Sequence, residues 1–347
     1  MAYTTINNGS LFMNPKIYTG NGGTQTITDV NFEPDLIVTK GRDLGESPWW
    51  TDKVVGLTKY RYSDGGAADS TYTTAVTGTN SDGYVLGNQN GFNNNTNTFV
   101  SWNWKANGAG SANTDGSINS TVSVNATSGF SIVKWSGSAG NATIGHGLGA
   151  VPKMIIIKNL SDAYYWVVYH QATGNTAYTR LNTEDASSSS LNMFQNTTPT
   201  SSVFSLTSQG YVNGGGGNQM IAYCFADVQG FSKMGSYVGN GSADGTFVYT
   251  GFKPAFVMAK RSNSASSADW NIRDNKRSPI NVASQVLQAN LSSVEGTASG
   301  TLIDIYSNGF KPRSSGSGVN AGSSLYIYMA FAEAPLVGTN NVPANAR

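Results

Sequence analysis

The chain has 347 residues, of which 12% are charged, with 21 Lys and Arg against 20 Asp and Glu. A net charge of +1 supplies no long-range attraction for nucleic acid or an anionic membrane. With charge at about half the roughly 25% usual in soluble proteins, the polar exterior must be built from Asn, Ser, Thr and the 41 Gly, a turn-rich β composition.

Cys224 is the single cysteine, so no intrachain disulfide can form, and one cysteine with His146 and His170 argues against a zinc site. No cofactor is expected. No stretch approaches the ~18 apolar residues of a membrane span. The start, Met1-Ala2-Tyr3-Thr4-Thr5-Ile6, lacks the basic and apolar regions of a signal peptide, so synthesis in a cytoplasm and a soluble product are expected.

In chain order, residues 1–17 read as an arm that either adds a strand to the first sheet or docks on a partner. Three modules then follow, at residues 18–107, 129–228 and 229–335. Each opens with an aromatic residue followed two positions later by glycine: Tyr18-Thr19-Gly20, Trp135-Ser136-Gly137 and Tyr237-Val238-Gly239. Each continues with a proline, five mostly apolar residues and a lysine: Pro34 to Lys40, Pro152 to Lys158 and Pro254 to Lys260. These runs are too continuous for a one-sided strand and predict a central strand buried on both faces.

A tryptophan follows each run, at Trp50, Trp166 and Trp270. These read as core anchors between two sheets, with a sugar or peptide platform as the alternative. Trp49 and Trp50 are adjacent, so a strand points them to opposite faces and one is expected near the surface; the same holds for Tyr164 and Tyr165. Trp49 and Tyr164 are therefore the candidate receptor contacts.

Later, Ser81-Asp82-Gly83-Tyr84, Ser208-Gln209-Gly210-Tyr211 and Ser307-Asn308-Gly309-Phe310 align as hairpin turns. Asn- or Gly-rich loops and closing strands ending in Trp104, Phe225 and Phe331 complete each unit. Residues 108–128 read as a linker by composition, leaving the first module offset, and residues 336–347 as a frayed or docking tail. A unit near 100 residues rich in short strands has the size of a β-sandwich. The expected fold is all-β: three tandem β-sandwich (jelly-roll-like) modules.

Catalytic signals are weak. His146 lies in the glycine-rich turn Gly145-His146-Gly147-Leu148-Gly149 and is expected to face solvent. His170 ends a strand where the other modules have Asp52 and Asp274, which reads as a polar cap. No G-x-S-x-G elbow occurs, and the acids sit mostly beside turn glycines, so no catalytic residue is assigned and no enzyme is expected. Lys260, Arg261, Arg273, Lys276 and Arg277 read as a solvated basic patch, or as a contact to an acidic polysaccharide or a neighbouring subunit.

Met1 to Ile6 with Lys16-Ile17-Tyr18-Thr19-Gly20, Trp102 to Ala106, Gly145 to Gly149 with Pro152 and Met154 to Asn159, Gly235 to Tyr237 with Gly239 to Gly245, the run from Phe247 to Lys260, and Ala344 to Arg347 together resemble tail-fibre-like structural proteins of marine bacteriophages. The resemblance spans almost the whole chain and carries no binding residues with it. It implies a virion component assembled in the host cytoplasm, with other virion proteins as partners and a host surface glycan or protein as receptor. A tail fibre mediating attachment leads; a capsid-decorating or vertex fibre, a tail adaptor and a polysaccharide-cleaving spike are alternatives. Phage fibres are usually trimers, so a homo-oligomer is expected with a trimer favoured, although three repeats in one chain could supply a pseudo-threefold object alone.

Overall fold

A computed structural model describes residues 3–266, 268–297, 299–338 and 343. The fold is all-β, and every named strand pairing is antiparallel. The Pro-led runs form Leu36–Gly41, Met154–Asn159 and Phe252–Arg261, the first two buried at every position. Pro34 and Pro152 stand just before their strands. Pro254 lies inside its strand at a register shift, because proline cannot donate to a ladder.

One strand order recurs in three large sheets. In the first, Met13–Thr19 lies beside the closing strand Thr98–Trp104, then the Pro-led strand, then the tryptophan strand Trp49–Asp52, then Lys59–Tyr62 and Ser70–Thr71. In the second, Phe130–Ser136, Gln219–Phe225, Met154–Asn159, Val167–His170 and Thr179–Arg180 repeat the order. In the third, Ser232–Val238, Leu325–Pro335, Phe252–Arg261, Asn271–Asp274 and Leu287–Gln288 repeat it again. A small sheet accompanies each: Gln25–Ile27 with Gly83–Leu86 and Val76–Asn80; Ala142–Gly145 with Val203–Leu206; and Val248–Tyr249 with Gly309–Pro312 and Ile303–Tyr306.

Strand alternation divides the core. Leu36, Val38 and Trp50 from the first sheet, Met154, Ile156 and Trp166 from the second, and Phe256, Met258 and Trp270 from the third join one shared apolar cluster. The opposite faces, Ile37 and Trp49 in the first repeat and Ile155 and Ile157 in the second, pack into local cores beneath the small sheets. The tryptophans thus anchor repeat to repeat, where the sequence reading placed them between the two sheets of one sandwich. Trp166 Nε1 donates to Tyr62 O at 2.9 Å, and Trp270 Nε1 donates to Arg180 O at 2.8 Å.

Three sequence expectations are corrected. Residues 108–128 are not a free linker: Ser111–Asn113 and Ser120–Asn125 extend the second sheet at its edge, with Ser120, Val122 and Ser123 buried. The first repeat is not offset, since it shares the common core. The arm boundary at 17 falls inside the strand Met13–Thr19, and the residues before it cross to the third repeat. There Tyr3 Oη donates to Gly251 O at 2.8 Å, Thr4 Oγ1 to Gln229 O at 2.7 Å, and Phe12 packs edge-on to Phe231. Of the tail, residues 339–342 and 344–347 lie outside the described residues.

The Ser208-Gln209-Gly210-Tyr211 segment also differs from its supposed counterparts. Gly83 and Gly309 open strands, whereas Gly210–Asn213 is a one-turn helix matching Asn90–Asn93 of the first repeat. The second small sheet has only two strands, so the equivalent of Gly83–Leu86 is Val203–Leu206.

Candidate functional site

The three opening glycines meet a single demand. A Cβ built on Gly20, Gly137 or Gly239 would stand 2.2 Å from Asn94 O, 1.9 Å from Gly214 O and 2.3 Å from Ala321 O. The loop that crosses there is held by a buried asparagine in each repeat. Asn93 Oδ1 accepts from Asn21 N at 2.8 Å, Asn213 Oδ1 from Ser138 N at 3.3 Å, and Asn320 Oδ1 from Asn240 N at 3.0 Å. The amide Nδ2 of each donates back to carbonyls of the same turn, Gly23 O, Gly140 O and Ser242 O. The sequence reading saw these loops as Asn- and Gly-rich and missed the one asparagine in each that matters. Its signal was Phe92-Asn93, Val212-Asn213 and Val319-Asn320, an apolar residue before Asn.

At the inner end of each tryptophan strand sit Asp52, His170 and Asp274, all buried. They cap the following turn, as the sequence predicts. Asp52 Oδ1 accepts from Val54 N and Val55 N, His170 Nδ1 from Ala172 N, and Asp274 Oδ1 from Lys276 N and Arg277 N. Each also reaches the next repeat. Tyr223 Oη donates to Asp52 Oδ2 at 2.9 Å, Trp102 Nε1 donates to Asp274 Oδ2 at 3.0 Å, and His170 Nε2 bonds Tyr328 O at 3.2 Å. Tyr223 and Trp102 occupy equivalent places in their closing strands, so the links run cyclically between the repeats.

The two aspartates are balanced by Arg61 and Arg277, both buried. Burial opposes ionisation of Asp274, but the Arg277 guanidinium, backbone N–H groups and the Trp102 indole outweigh it and hold the carboxyl below its ordinary value. His170 has no such charge partner; burial pushes it down to about 4, against a weaker raising effect of the Tyr328 carbonyl. With Nδ1 accepting, its proton sits on Nε2. His146 is corrected in the same sense: it is fully buried, accepts from Leu148 N and bonds Thr200 O at 3.2 Å, and burial lowers its pKa.

Of the predicted basic cluster Lys276 is exposed and Arg261 half-buried, but the other three are not solvated. Lys260, Arg273 and Arg277 are buried, and Arg277 bridges Asp274 to Glu295, which in turn binds Arg42 of the first repeat at 2.7 Å. Lys260 belongs to a trio with Lys40 and Lys158, all fully buried. Each Nζ donates to backbone carbonyls: Lys40 to Glu46 O, Lys158 to Asp162 O and Lys260 to Ala268 O. Burial lowers all three to about 8.

The predicted contact residues separate. Trp49 is 5% exposed and walled by Tyr60, Tyr62, Tyr72 and Phe92, so neither member of the Trp49-Trp50 pair lies near the surface. The reason is the helix Asn90–Asn93, which covers this face of the strand; its Gly91 lies against the indole. In the second repeat Tyr165 takes the place of Trp49, and Tyr211 that of Gly91. Tyr164 is half-buried and joins them: its ring centroid is 4.7 Å from that of Tyr211, which stacks on Tyr165 at 4.1 Å. The Arg180 guanidinium lies 3.9 Å from the Tyr165 centroid on a side chain 29% exposed, and pairs with Asp185 at 2.8 Å. Arg180 and Tyr211 take the two faces of Tyr165, so this half-exposed cluster offers a ligand the edges of three tyrosines with a cation and a carboxylate beside them.

Among the described residues, no helix is long and apolar enough to cross a membrane. A family model for a domain of unknown function, DUF7483, matches residues 8–335. No curated protein matches the chain.

Proposed function

Starting from a chain that belongs to the DUF7483 family, we propose that this protein is a virion surface protein without catalytic activity, a tail-fibre-like receptor-binding component that attaches the particle to its host. The observation that carries the reading is the division of labour among side chains. The histidines and the buried acids are engaged in turn caps and repeat-to-repeat bonds, while a half-exposed stack of Tyr164, Tyr165, Tyr211 and Arg180 stands on that rigid frame. Rigid aromatic surfaces bind with little loss of side-chain freedom. The resemblance to phage tail-fibre-like proteins supplies the virion setting.

Labelled protein tested on host cells checks the attachment role. Saturable binding is expected, weakened about tenfold or more in a Tyr165→Ala, Tyr211→Ala variant, since losing such aromatic anchors typically costs 1–2 kcal/mol or more. Unchanged binding in that variant overturns the role of the stack.

A capsid-decorating role is the second reading. It is favoured by the open edge strand Ser111–Asn113, two of whose three residues are exposed and which could pair with a neighbouring protein. Cryo-imaging of the particle separates head from tail. As for assembly, the three repeats around a shared core provide within one chain the threefold arrangement that fibres usually make from three, and we take the chain to act singly rather than as the homotrimer.

A further inference from the structure

The repeats act as internal controls for one another, and the small sheets expose a difference between them. Ile27, Ile144 and Val248 are equivalent inward residues, each paired with an aromatic: Tyr84, Phe204 and Phe310. The outward residue before each is Thr26, Thr143 and Phe247; the residue after each is Thr28, Gly145 and Tyr249. Opposite the hairpin glycine, Asn80 of the first repeat corresponds to Tyr306 of the third. The fold is therefore built twice with small or polar residues on this outer face; the third repeat carries aromatics there, of which Tyr249 receives the arm while Phe247 leaves much of its ring exposed.

Phe247 is 44% exposed and Tyr249 52%. The Phe247 ring lies over Gly309, edge-on to Tyr306 at 5.8 Å, and Tyr3 from the arm adjoins Tyr249. The rim is charged but balanced. Lys311 and Arg313 both pair with Asp244, Arg313 also reaches Asp304 at 3.3 Å, and Tyr306 Oη donates to Asp304 at 3.4 Å.

We propose that this face of the third small sheet is a binding site for a neutral saccharide. A sugar ring presents an apolar C–H face that suits Phe247 and Tyr249, and a rim of hydroxyls that both donate and accept, which suits alternating Asp, Lys and Arg. Two cations matched by two carboxylates leave no net field for a nucleic acid or an acidic polymer. The proposal deepens the attachment reading by naming a ligand class, and its test uses no particle or cell, so the two fail separately.

The test is affinity electrophoresis of the full chain in gels cast with neutral polysaccharides (dextran, mannan, galactomannan and xyloglucan) and with acidic alginate, beside a Phe247→Thr, Tyr249→Thr variant. That variant installs the residues of the first repeat, and an unchanged melting curve verifies its fold. The expected result is retardation in at least one neutral gel, weakened about tenfold in the variant, as two lost aromatic contacts of about 0.5–1.5 kcal/mol each predict. No retardation in any neutral gel, equal retardation of the variant, or retardation confined to alginate overturns the proposal. So does light scattering that shows a dimer of the wild type dissolved by the variant, which would make the face a contact between copies.

Discussion

His170 shows how one residue type changes a junction that its counterparts fill with aspartate. Asp52 and Asp274 bring charge into the interior and each needs a buried arginine, whereas burial keeps the imidazole neutral, with Nδ1 accepting an N–H and the Nε2 proton given to a carbonyl. The pH dependence follows. Its ordinary value is 6.5 and its folded value about 4, so above pH 6.5 both folded and unfolded chains hold it neutral and stability is full. As pH falls from 6.5 towards 4, the unfolded chain takes up the proton first, and roughly 3 kcal/mol is lost by the linkage relation. Urea melts at pH 7 and pH 4.5 should show this loss in the wild type and a smaller one in His170→Asn. The lysine trio has the same sign in a higher window. Their folded value is about 8 against an ordinary 10.5, so stability should rise between pH 8 and 9.5, because the unfolded chain alone retains those protons. Replacing one of the three, Lys158→Met, should flatten the rise in melts across that range.

At the scale of the element, the turn after each opening strand is a lock made of a glycine and an asparagine. Gly137→Ala places a methyl 1.9 Å from Gly214 O, where both partners are backbone and cannot swing aside. It should cost about 1–3 kcal/mol in thermal or urea unfolding. Gly140→Ala, three residues on, meets only Ser138 Oγ at 3.8 Å and should be near neutral. The closing strand carries a second test. Tyr223→Phe removes the hydroxyl that donates to Asp52 and contacts Arg61, leaving buried charge short of a partner, and should destabilise by about 1–3 kcal/mol. These elements explain why the sequence alignment slipped at Ser208-Gln209-Gly210-Tyr211. All three Gly-aromatic pairs follow turn residues, and only the partner segment decides whether each becomes a hairpin or a helical turn.

For the whole molecule, the cyclic contacts predict one cooperative object. The first repeat touches the second through Trp50, Trp166 and Tyr223, the second touches the third through His170 and Phe225, and the third returns to the first through Asp274 and Glu295. A single unfolding transition is expected, and light scattering should give the 36.5 kDa of one chain. Removal of residues 1–12 should lower the melting temperature by several degrees, because it uncovers Phe231 and deletes buried Ile6.

From the residues alone, the all-β class, the recurrence of the Pro-led strand with its tryptophan, and the turn-capping place of Asp52, His170 and Asp274 were legible. All rest on local rules: alternation, proline's missing N–H, and side chains that bond their own turn. What surrounds each element was decided only by tertiary structure. Whether Trp49 meets solvent, whether residues 108–128 hang free or join a sheet, and how much of the basic cluster is buried all depend on which other segment packs against them. A strand states which residues share a face, but what covers that face is set by segments elsewhere in the chain, such as the helix Asn90–Asn93 over Trp49.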